Sequence, residues 1–412
     1  RISEENFWQP LKGWWNDMKI RGSYGSLGNQ VMDDLGNFPY LATYGTNSSY
    51  NYLINGSKPV IVKAPGLVAP DFTWETVTQM DFGFDASFLN NRLTGTFDWY
   101  RRNTKDMLVA GATLPATLGA SVPKSNSADM KTIGWELSLG WNDRLENGFS
   151  YWVKGVLSDY QATITKYAGN DAGFYSQSDD DGKYYVGQKI GEIWGYHSNG
   201  LFQSDDEAAT IDQSELYAGK WGAGDVKYED LDNDGKITKG EETIYNPGDK
   251  SIIGNKTPRY QFGITVGFDY KNFDFEMFWQ GTGKRDYMLS GAQFWGFTSQ
   301  WDVPYTPALD YWTETNTDAY FPRPGWQNGG NRVTSDRYLQ SAAYGRLKNL
   351  TVGYTIPKNL TTKWGISRLR LYVTGENLLT ITPLNDAFDP ETLGGMTYPI
   401  NRKVAIGLNL TL

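Results

Sequence analysis

The stretch QMDFGFDASFLNNRLTGTFDWYR, residues 79–101, decides the fold. In residues 80–88 every second side chain is apolar, and the positions between them hold aspartate, glycine or serine. The alternation resumes in residues 93–99, after the pair Asn90-Asn91. Successive side chains of a strand point to opposite faces, and asparagine tolerates the positive φ of a tight turn. The stretch therefore predicts a hairpin of two strands, each with one apolar face.

The same alternation recurs along most of the chain. It covers residues 135–141, 262–270, 273–279, 350–356, 369–373 and 404–412. The predicted strands are about 9 to 13 residues long, close to the length that a tilted strand needs to cross a bilayer. Strands of globular proteins are shorter, with a most common length of about 5 or 6 residues. Strand length therefore favours a membrane barrel.

The connections between these strands are sorted by length. Short ones follow Leu89, Trp141, Tyr270 and Ile356, and long ones follow Thr104, Thr163, Gly283 and Thr380. Transmembrane barrels have short periplasmic turns and long outer loops. The predicted fold class is all-β: a transmembrane antiparallel β-barrel segment of about ten strands with long extracellular loops. A soluble all-β protein with one buried face per sheet is the alternative, because alternation alone does not exclude it.

The composition of the chain excludes several classes of protein. The chain has 412 residues, no cysteine, 15% aromatic residues and a net charge of −9. The lack of cysteine excludes a disulfide scaffold and any cysteine-ligated metal. The negative charge argues against nucleic acid as a partner, because phosphate binding needs a basic surface. The chain starts at Arg1 without a signal-peptide pattern, which suggests a mature product or a piece of a longer chain.

Several stretches together resemble the SusC/RagA-type TonB-dependent transporters of the bacterial outer membrane. MKIRGSYGSLGNQ, residues 18–30, is similar to a stretch of that family, and residues 72–108 resemble its most recognisable hairpin. Further similar stretches follow in order over residues 200–208, 224–238, 252–283, 311–323, 344–357 and 369–382. Each piece is short, but their order along nearly the whole chain makes the resemblance specific.

The resemblance implies a fold and a set of partners. It implies a barrel of about 22 strands, of which residues 1–412 form the C-terminal part, with the plug domain and the N-terminal barrel strands absent. It also implies energy supplied through TonB, a SusD-like surface lipoprotein, outer-membrane lipid around the barrel, and an oligosaccharide or peptide cargo. The remaining half of the barrel is then a further partner. The terminal Leu412 departs from the aromatic residue that commonly ends such barrels.

The segment DLDNDGKITKGE, residues 230–241, has the spacing of a calcium loop. Its predicted oxygen donors are Asp230, Asp232, Asp234, the Lys236 carbonyl, Thr238 and Glu241. The flanking residues do not look helical, and no second loop pairs with this one, so a structural Ca²⁺ site in an outer loop is expected rather than a calcium sensor. The alternative is a solvated acidic turn.

Two other groups of residues are candidates for catalysis or for cargo binding. His197 is the only histidine, so a serine–histidine–aspartate site would have to use it, and no nucleophile-elbow pattern lies near it. A histidine-based catalytic site is therefore not expected. The transporter resemblance implies no enzyme activity, while the plentiful carboxylates leave a glycosidase pair open. The 284–342 loop is rich in aromatic residues, and most of these are expected to pack inside the loop or against a partner. The candidates for stacking on cargo sugars are Trp295, Trp301, Tyr305 and Trp312.

Two functions of different classes remain. The first is TonB-dependent import of oligosaccharides or peptides across the bacterial outer membrane, together with a SusD-like lipoprotein. The second is a secreted, calcium-stabilised β protein that binds or hydrolyses glycans. It accounts for the calcium loop and the aromatic residues but not for the long strands and the sorted connections. An outer-membrane adhesin or receptor that imports nothing is a third possibility.

Overall fold

The structure is a computed structural model, which describes residues 1–29, 40–47, 53, 54, 56–58, 60–63, 65–69, 72–110, 115, 117, 122–168, 170, 173, 184–393 and 398–412. Its strands are β1 (Trp15–Asn29), β2 (Gly45–Asn47), β3 (Ile61–Lys63), β4 (Glu75–Phe88), β5 (Leu93–Ala110), β6 (Lys124–Arg144), β7 (Ser150–Tyr167), β8 (Glu192–Tyr196), β9 (Ser198–Leu201), β10 (Val226–Tyr228), β11 (Lys250–Asn255), β12 (Arg259–Tyr270), β13 (Phe273–Lys284), β14 (Asp286–Met288), β15 (Leu339–Ser341), β16 (Tyr344–Thr355), β17 (Arg368–Ile381) and β18 (Lys403–Thr411).

Helices are short and lie outside the large sheet. The α-helices are α1 (Asp205–Ala208), α2 (Ala292–Trp295) and α3 (Lys358–Thr361). The 3₁₀ helices are Ile2–Glu4, Asn6–Leu11, Thr306–Leu309, Gly329–Arg332 and Thr362–Trp364. Within the described part of the chain, no helix has the length and apolar character that a membrane span requires.

Ten strands form one antiparallel sheet. Their order is β1-β4-β5-β6-β7-β12-β13-β16-β17-β18, so each strand pairs with the strands that precede and follow it in this series. The predicted all-β class and the count of about ten barrel strands are confirmed. We call this sheet the barrel sheet. The four other sheets of the described residues have two strands each and lie in the connections.

Side chains alternate across the barrel sheet in register from strand to strand. One face carries a row formed by Ile20, Phe84, Phe97, Leu137, Leu157 and Phe262. The neighbouring row, on the opposite face, is formed by Arg21, Gly83, Asp98, Glu136, Ser158 and Gln261. In a membrane barrel the apolar face contacts lipid and the polar face lines the lumen. The predicted alternation therefore gives the sheet one face that contacts lipid and one that contacts water.

Short and long connections lie at opposite ends of the sheet, as predicted. Residues 89–92, 145–149 and 271–272 are tight turns at one end. The connection 356–367 at the same end is longer than expected, because it folds into α3 and a 3₁₀ turn. The strand ends that the long connections 168–258, 285–343 and 382–402 join all lie at the other end.

The tight turns depend on residues in the left-handed region of backbone space. Asn90 and Asn91 have φ of 59° and 64°, as their side chains favour, and Leu89 joins them at 54°. Lys271 turns the β12–β13 hairpin with φ of 54°. The prediction that Asn90-Asn91 forms a turn is confirmed.

The main buried core lies in the long connections rather than in the sheet. Its largest fully buried side chains include Tyr228, Ile237, Leu289, Phe294 and Tyr338. These residues come from the 168–258 and 285–343 connections, and Leu384, Phe388 and Leu393 join them from 382–402. The described residues of the three connections therefore fold together as one packed unit, which we call the loop body.

Candidate functional site

The candidate site comprises the loop body and the polar face of the barrel sheet beneath it. Aromatic rings fill the centre of the loop body. Phe294 lies with its ring centroid 5.1 Å from that of Phe321, and Trp295 lies 4.6 Å from Tyr338, both edge to face. Such pairs add to the stabilisation from burial alone. The expected packing of the aromatic residues within the loop is thus observed for these rings.

The four aromatic residues proposed to stack on cargo fall into two groups. Trp295 and Trp312 are buried in the core of the loop body. Each has only 8% of its surface accessible, which leaves neither with an open ring face. Trp301 and Tyr305 are exposed, with 83% and 45% of their surface accessible. Only these two present the free ring face that stacking on a sugar requires.

The 285–343 connection exposes further apolar side chains besides these two rings. Val303, Leu309 and Trp326 are also exposed, with 76%, 57% and 47% of their surface accessible. We call Trp301, Val303, Tyr305, Leu309 and Trp326 the outer patch. Several exposed apolar side chains within one connection favour a contact with another molecule.

The predicted calcium loop brings two of its aspartates together with a third from outside it. The carboxylates of Asp230, Asp232 and Asp249 lie within 4.8 Å of one another. Asp230 accepts hydrogen bonds from the backbone N–H groups of Asp234 and Gly235, at 3.2 and 2.7 Å. These bonds bend the loop around the carboxylate.

Asp249 is the member of this cluster that the sequence did not predict. It is fully buried and accepts hydrogen bonds from the N–H groups of Leu231 and Thr238, at 2.8 and 2.7 Å. It therefore holds both ends of the loop. The calcium-loop motif ends at Glu241, its last acidic ligand. Asp249 lies beyond the motif, so the motif could not predict it.

The other predicted donors lie around this cluster rather than in it. Asp234 accepts from the N–H of Lys236 at 2.8 Å, and the Thr238 carbonyl accepts from the Tyr196 hydroxyl at 3.3 Å. Glu241 is exposed and lies at a turn, where its N–H donates to the Asn246 carbonyl. The carboxylate cluster thus contains Asp249 and not the predicted Glu241.

Electrostatics distinguish the two loop aspartates of the cluster. Desolvation disfavours the charged form of Asp230, but hydrogen bonds from Gly235, Asn233 and Asp234 outweigh it and lower the pKa. Desolvation raises the pKa of Asp232, and the carboxylates of Asp234 and Asp249 add to the effect. A cation placed between such carboxylates would relieve their repulsion, so the donor set fits a hard, oxygen-preferring ion such as Ca²⁺.

The polar face of the barrel sheet carries an ion-pair network. Arg21 on β1 donates to Asp85 on β4 at 3.0 Å and to Asp98 on β5 at 2.9 Å. The guanidinium thus bridges two neighbouring strands. Beside it lies an open recess, lined by Arg21, Gln79, Asp81, Asp98, Tyr100, Arg102 and Glu136. The lumen-facing placement predicted for Asp81, Asp85 and Asp98 is therefore observed.

A second ion-pair network ties the loop body to the sheet. Arg346 on β16 is buried and pairs with Asp389 and Glu391 of the 382–402 connection. Lys348 also pairs with Glu391, at 2.9 Å. Because paired buried charges strongly resist separation, this connection is fixed across the end of β16. Nothing in the sequence pattern indicated these long-range partners.

His197 joins three segments of the loop body. Its Nδ1 lies 2.7 Å from a carboxylate oxygen of Asp336, and its Nε2 lies 2.7 Å from the hydroxyl of Ser251. The order of partners is that of a serine–histidine–aspartate triad. Ser251 lies within β11, however, and not at the strand-to-helix elbow that presents a nucleophile in hydrolases. We interpret the arrangement as a structural junction.

A family model described as TonB dependent receptor-like, beta-barrel matches residues 7–378. The match covers most of the chain, and the chain belongs to this family. The predicted membrane barrel and its place in the bacterial outer membrane are thereby confirmed. The family consists of receptors and transporters and is not known for enzymes.

Curated relatives have the same assignment. TonB-dependent receptor P3 of Formosa agariphila is 29% identical over 95% of this chain and 39% of its own length. TonB-dependent receptor SusC of Bacteroides thetaiotaomicron is 26% identical over 100% of this chain and 39% of its own length. The chain therefore spans about two-fifths of the length of the curated relatives that it matches. The SusC/RagA-type resemblance is confirmed.

Solved structures share the fold. The structure of the RagAB peptide transporter matches with a TM-score of 0.76 at 22% identity, over 99% of this chain and 42% of that one. The RagAB peptide importer in its "open-open" state matches with a TM-score of 0.73 at 22% identity, over 97% and 40%. The arrangement of barrel sheet and loop body is thus a known architecture.

Proposed function

We propose that the chain is the C-terminal barrel part of a transporter that imports an oligosaccharide or a peptide through the outer membrane, with energy supplied through TonB. The observation that carries the proposal is the two-faced barrel sheet. Its polar face holds charged and amide side chains beside an open recess, and its other face is apolar. A lumen that can exchange hydrogen bonds with a hydrated cargo suits sugars and peptides better than apolar molecules.

The experiment is an uptake assay in cells of the source bacterium. Labelled oligosaccharides and peptides are supplied to cells with the gene intact, deleted, or restored as the full-length gene. We expect deletion to abolish uptake of one cargo class and the restored gene to recover it, but not in cells that lack TonB. Surface binding without any uptake would instead establish an adhesin or a receptor. Uptake that is unaffected by the deletion would exclude the import function.

A SusD-like surface lipoprotein is the proposed partner of the loop body, and the outer patch is its proposed contact. Exposed rings and aliphatic side chains are enriched at the cores of protein interfaces and become energetically important when a partner covers them. Trp301 is the most exposed of these residues and thus has the most surface to lose on contact. A cargo that stacks on Trp301 or Tyr305 is the alternative occupant.

This contact is tested by co-purification of the lipoprotein with the full-length transporter. Trp301→Ala combined with Val303→Ser is expected to weaken the complex by at least tenfold, because truncating central interface anchors commonly costs about 2 kcal/mol or more. Tyr245→Ala is the matched control, since Tyr245 is equally exposed at 83% but lies elsewhere in the loop body. Unchanged co-purification with reduced cargo affinity would assign the outer patch to cargo.

A structural Ca²⁺ ion is proposed at the cluster of Asp230, Asp232 and Asp249. The support is the donor set: three carboxylates within 4.8 Å of one another at a sharp turn with Gly235 in the left-handed region. The Lys236 carbonyl and Thr238 belong to the same turn and remain candidate donors. The ion would hold the acidic segment 230–249 in one shape within the outer loops.

Calorimetric titration of the full-length protein with calcium chloride tests this site. We expect one site per chain, and Asp232→Asn is expected to weaken it by at least tenfold, because one charged ligand is lost. Asp206→Asn is the matched control, since Asp206 is an exposed acid outside the cluster. Binding that is unaffected by Asp232→Asn would place calcium elsewhere, and no binding at all would leave the cluster as a hydrogen-bonded turn.

The secreted glycan-binding or glycan-cleaving protein is no longer a suitable alternative. Family membership assigns the chain to the outer membrane, whereas that alternative requires a protein that stays in solution without detergent. Its two supporting features, the calcium loop and the aromatic residues, both lie in the loop body and are compatible with a membrane barrel.

A further inference from the structure

The lipid-facing surface of β5 and β6 changes abruptly from apolar to basic. Trp99 on β5 lies directly opposite Trp135 on β6, and both belong to the apolar face. Continuing toward the loop body on that face, the next charged side chains are Arg101 and Lys105 on β5 and Lys131 on β6. We call Arg101, Lys105 and Lys131 the basic ridge.

Strand register shows that the ridge lies on the outer surface and not in the lumen. Arg101 is two residues beyond Trp99 on β5, so the two side chains share a face. Arg101 is also paired with Ile133, and Lys131 is two residues from Ile133 on β6. The intervening residue of β5, Arg102, points the other way and lines the luminal recess.

The three cations of the ridge are close enough to act on one ligand. Lys131 lies directly opposite Asn103, and Arg101 and Lys105 flank Asn103 on its own strand. Diagonal neighbours of this kind in an antiparallel pair are about 7 to 8 Å apart, within reach of long side chains. The Arg101 Nε also donates to Asn103 Oδ1 at 3.2 Å, which holds the guanidinium on this surface.

Among the residues that the structure describes, little negative charge lies next to the ridge. Over the described ranges, no carboxylate oxygen lies within the 4.0 Å ion-pair distance of Arg101, Lys105 or Lys131. Asp129 is the nearest acid in register, but it lies opposite Lys166 and accepts the backbone N–H of Asp106 at 3.0 Å. Arg101 and Lys105 are exposed. Their side chains can therefore reach an external anion.

The position of the ridge relative to the membrane indicates which kind of anion it would bind. Tryptophans of barrel proteins lie at the membrane–water interface, so Trp99 and Trp135 mark the outer limit of the hydrocarbon region. Cations immediately beyond this limit lie at the level of lipid headgroups. We propose that the basic ridge binds the phosphate groups of a phosphorylated lipid of the outer leaflet, with Arg101 as the bidentate contact and the two lysines as point charges.

The test uses the full-length protein, purified in detergent and freed of lipid. Native mass spectrometry then measures binding of lipid A, a phosphorylated glycolipid, and of the same lipid with its phosphates removed. The variant combines Arg101→Gln, Lys105→Gln and Lys131→Gln. Arg102→Gln is the matched control, because it removes one cation from the adjacent position on the opposite face. Heat-dependent migration on gels verifies that each variant forms a barrel.

We expect the triple variant to bind lipid A about a hundredfold more weakly, since each cation near an anionic headgroup strengthens binding about fivefold. Arg101→Gln alone is expected to lower affinity, and Arg102→Gln to leave it unchanged. Equal affinity of wild type for the phosphorylated and phosphate-free lipids would overturn the proposal, as would equal lipid A affinity of wild type and triple variant. Competition by inorganic phosphate as effective as that by lipid A would show an ion site instead of a lipid site.

Discussion

The barrel sheet and the loop body bury their apolar residues in different ways. In the loop body, Phe294 and Tyr228 are completely inaccessible, enclosed by other parts of the same chain. On the barrel sheet, Leu139 of β6 and Val352 of β16 are 48% and 45% exposed, although they are also apolar and lie on interior strands. The sheet presents its apolar face outward because lipid covers that face in the membrane. The loop body lies in water and must make its own core.

This difference predicts how each region responds to change. The sheet is held by hydrogen bonds between strands and by the membrane, whereas the loop body is held by packing and by buried ion pairs such as that of Arg346. Damage to the core of the loop body should therefore leave the sheet intact. Damage to the lipid-facing surface should prevent insertion of the sheet without altering the packing of the loop body.

Phe294→Ala should have the largest effect and be confined to the loop body. Removing a fully buried ring costs about 3 to 5 kcal/mol, because both burial and packing are lost. Hydrogen exchange on the reconstituted full-length protein should show lost protection in the 185–258 and 285–343 segments, with the ten barrel strands still protected. Tyr245→Ala, at an exposed ring, should change neither region. Equal loss of protection in the sheet would show that the two regions are one cooperative unit.

Leu139→Arg should destabilise the barrel sheet and spare the loop body. A charge on the lipid face costs about 2 to 4 kcal/mol near the middle of the bilayer. Ser138→Arg is the control, because the adjacent residue of β6 faces the lumen, where water solvates the charge. Urea titration of folding into lipid vesicles measures both variants. Similar losses for the two positions would mean that the assignment of faces is wrong.

Gly134→Ala should cost about 1 to 3 kcal/mol, the usual penalty for overpacking. The ring of Tyr100 lies over Gly134, and a Cβ there would be 2.5 Å from ring atoms. Gly155→Ala is the control within the same sheet, since nothing lies within 4 Å of its Cβ position. The same urea titration compares them. If Tyr100→Ala did not rescue the Gly134→Ala variant, the ring contact would not be the cause.

Acid should loosen the start of α1 by a small amount. Glu207 accepts the N–H of Gln203 at 2.7 Å and pairs with Lys227, and these contacts lower its pKa. A lowered pKa in the folded state means that the stabilisation is present above the ordinary glutamate value of 4.5 and is lost as the pH falls through the folded value. Amide exchange at Gln203, measured from neutral pH to below that value, should reveal the loss.

Glu207→Gln provides the comparison for this pH dependence. Glutamine cannot titrate, so its protection at Gln203 should be lower at neutral pH and should not fall further on acidification. The Ser204 hydroxyl, which accepts the Glu207 N–H at 3.1 Å, caps the same helix in both proteins. A wild-type profile identical to that of the variant would show that the Glu207 carboxylate contributes nothing.

Much of the barrel sheet was predictable because strand periodicity is a local property. The hairpin at Asn90-Asn91, the alternation through Trp135 and Trp141, and the lumen-facing Asp81 and Asp98 all follow from side chains that are near one another in sequence. The 356–367 connection was expected to be short, and it is longer because residues 358–364 form helical turns without a strong pattern.

The candidate site was predictable only in part. Asp230 and Asp232 belong to a local motif, so their proximity could be expected, whereas Asp249 joins them only through the path of the folded loop. Composition identified the aromatic residues of the 284–342 loop but could not separate Trp295 and Trp312, which are buried, from Trp301, which is exposed. Burial in an irregular loop depends on contacts with distant segments, and no periodicity reports these contacts.

By itself the sequence determined the class of fold, the two faces of the sheet, the side on which the long loops lie and, through family resemblance, the outer-membrane setting. Tertiary structure alone decided that His197 bonds with Asp336 and Ser251, that Arg346 fixes the last long connection, and that the basic ridge gathers cations from two strands on the lipid side. The physical reason is range: alternation and turns are set by neighbouring residues, whereas burial, ion pairs and shared surfaces require segments far apart in the chain to meet.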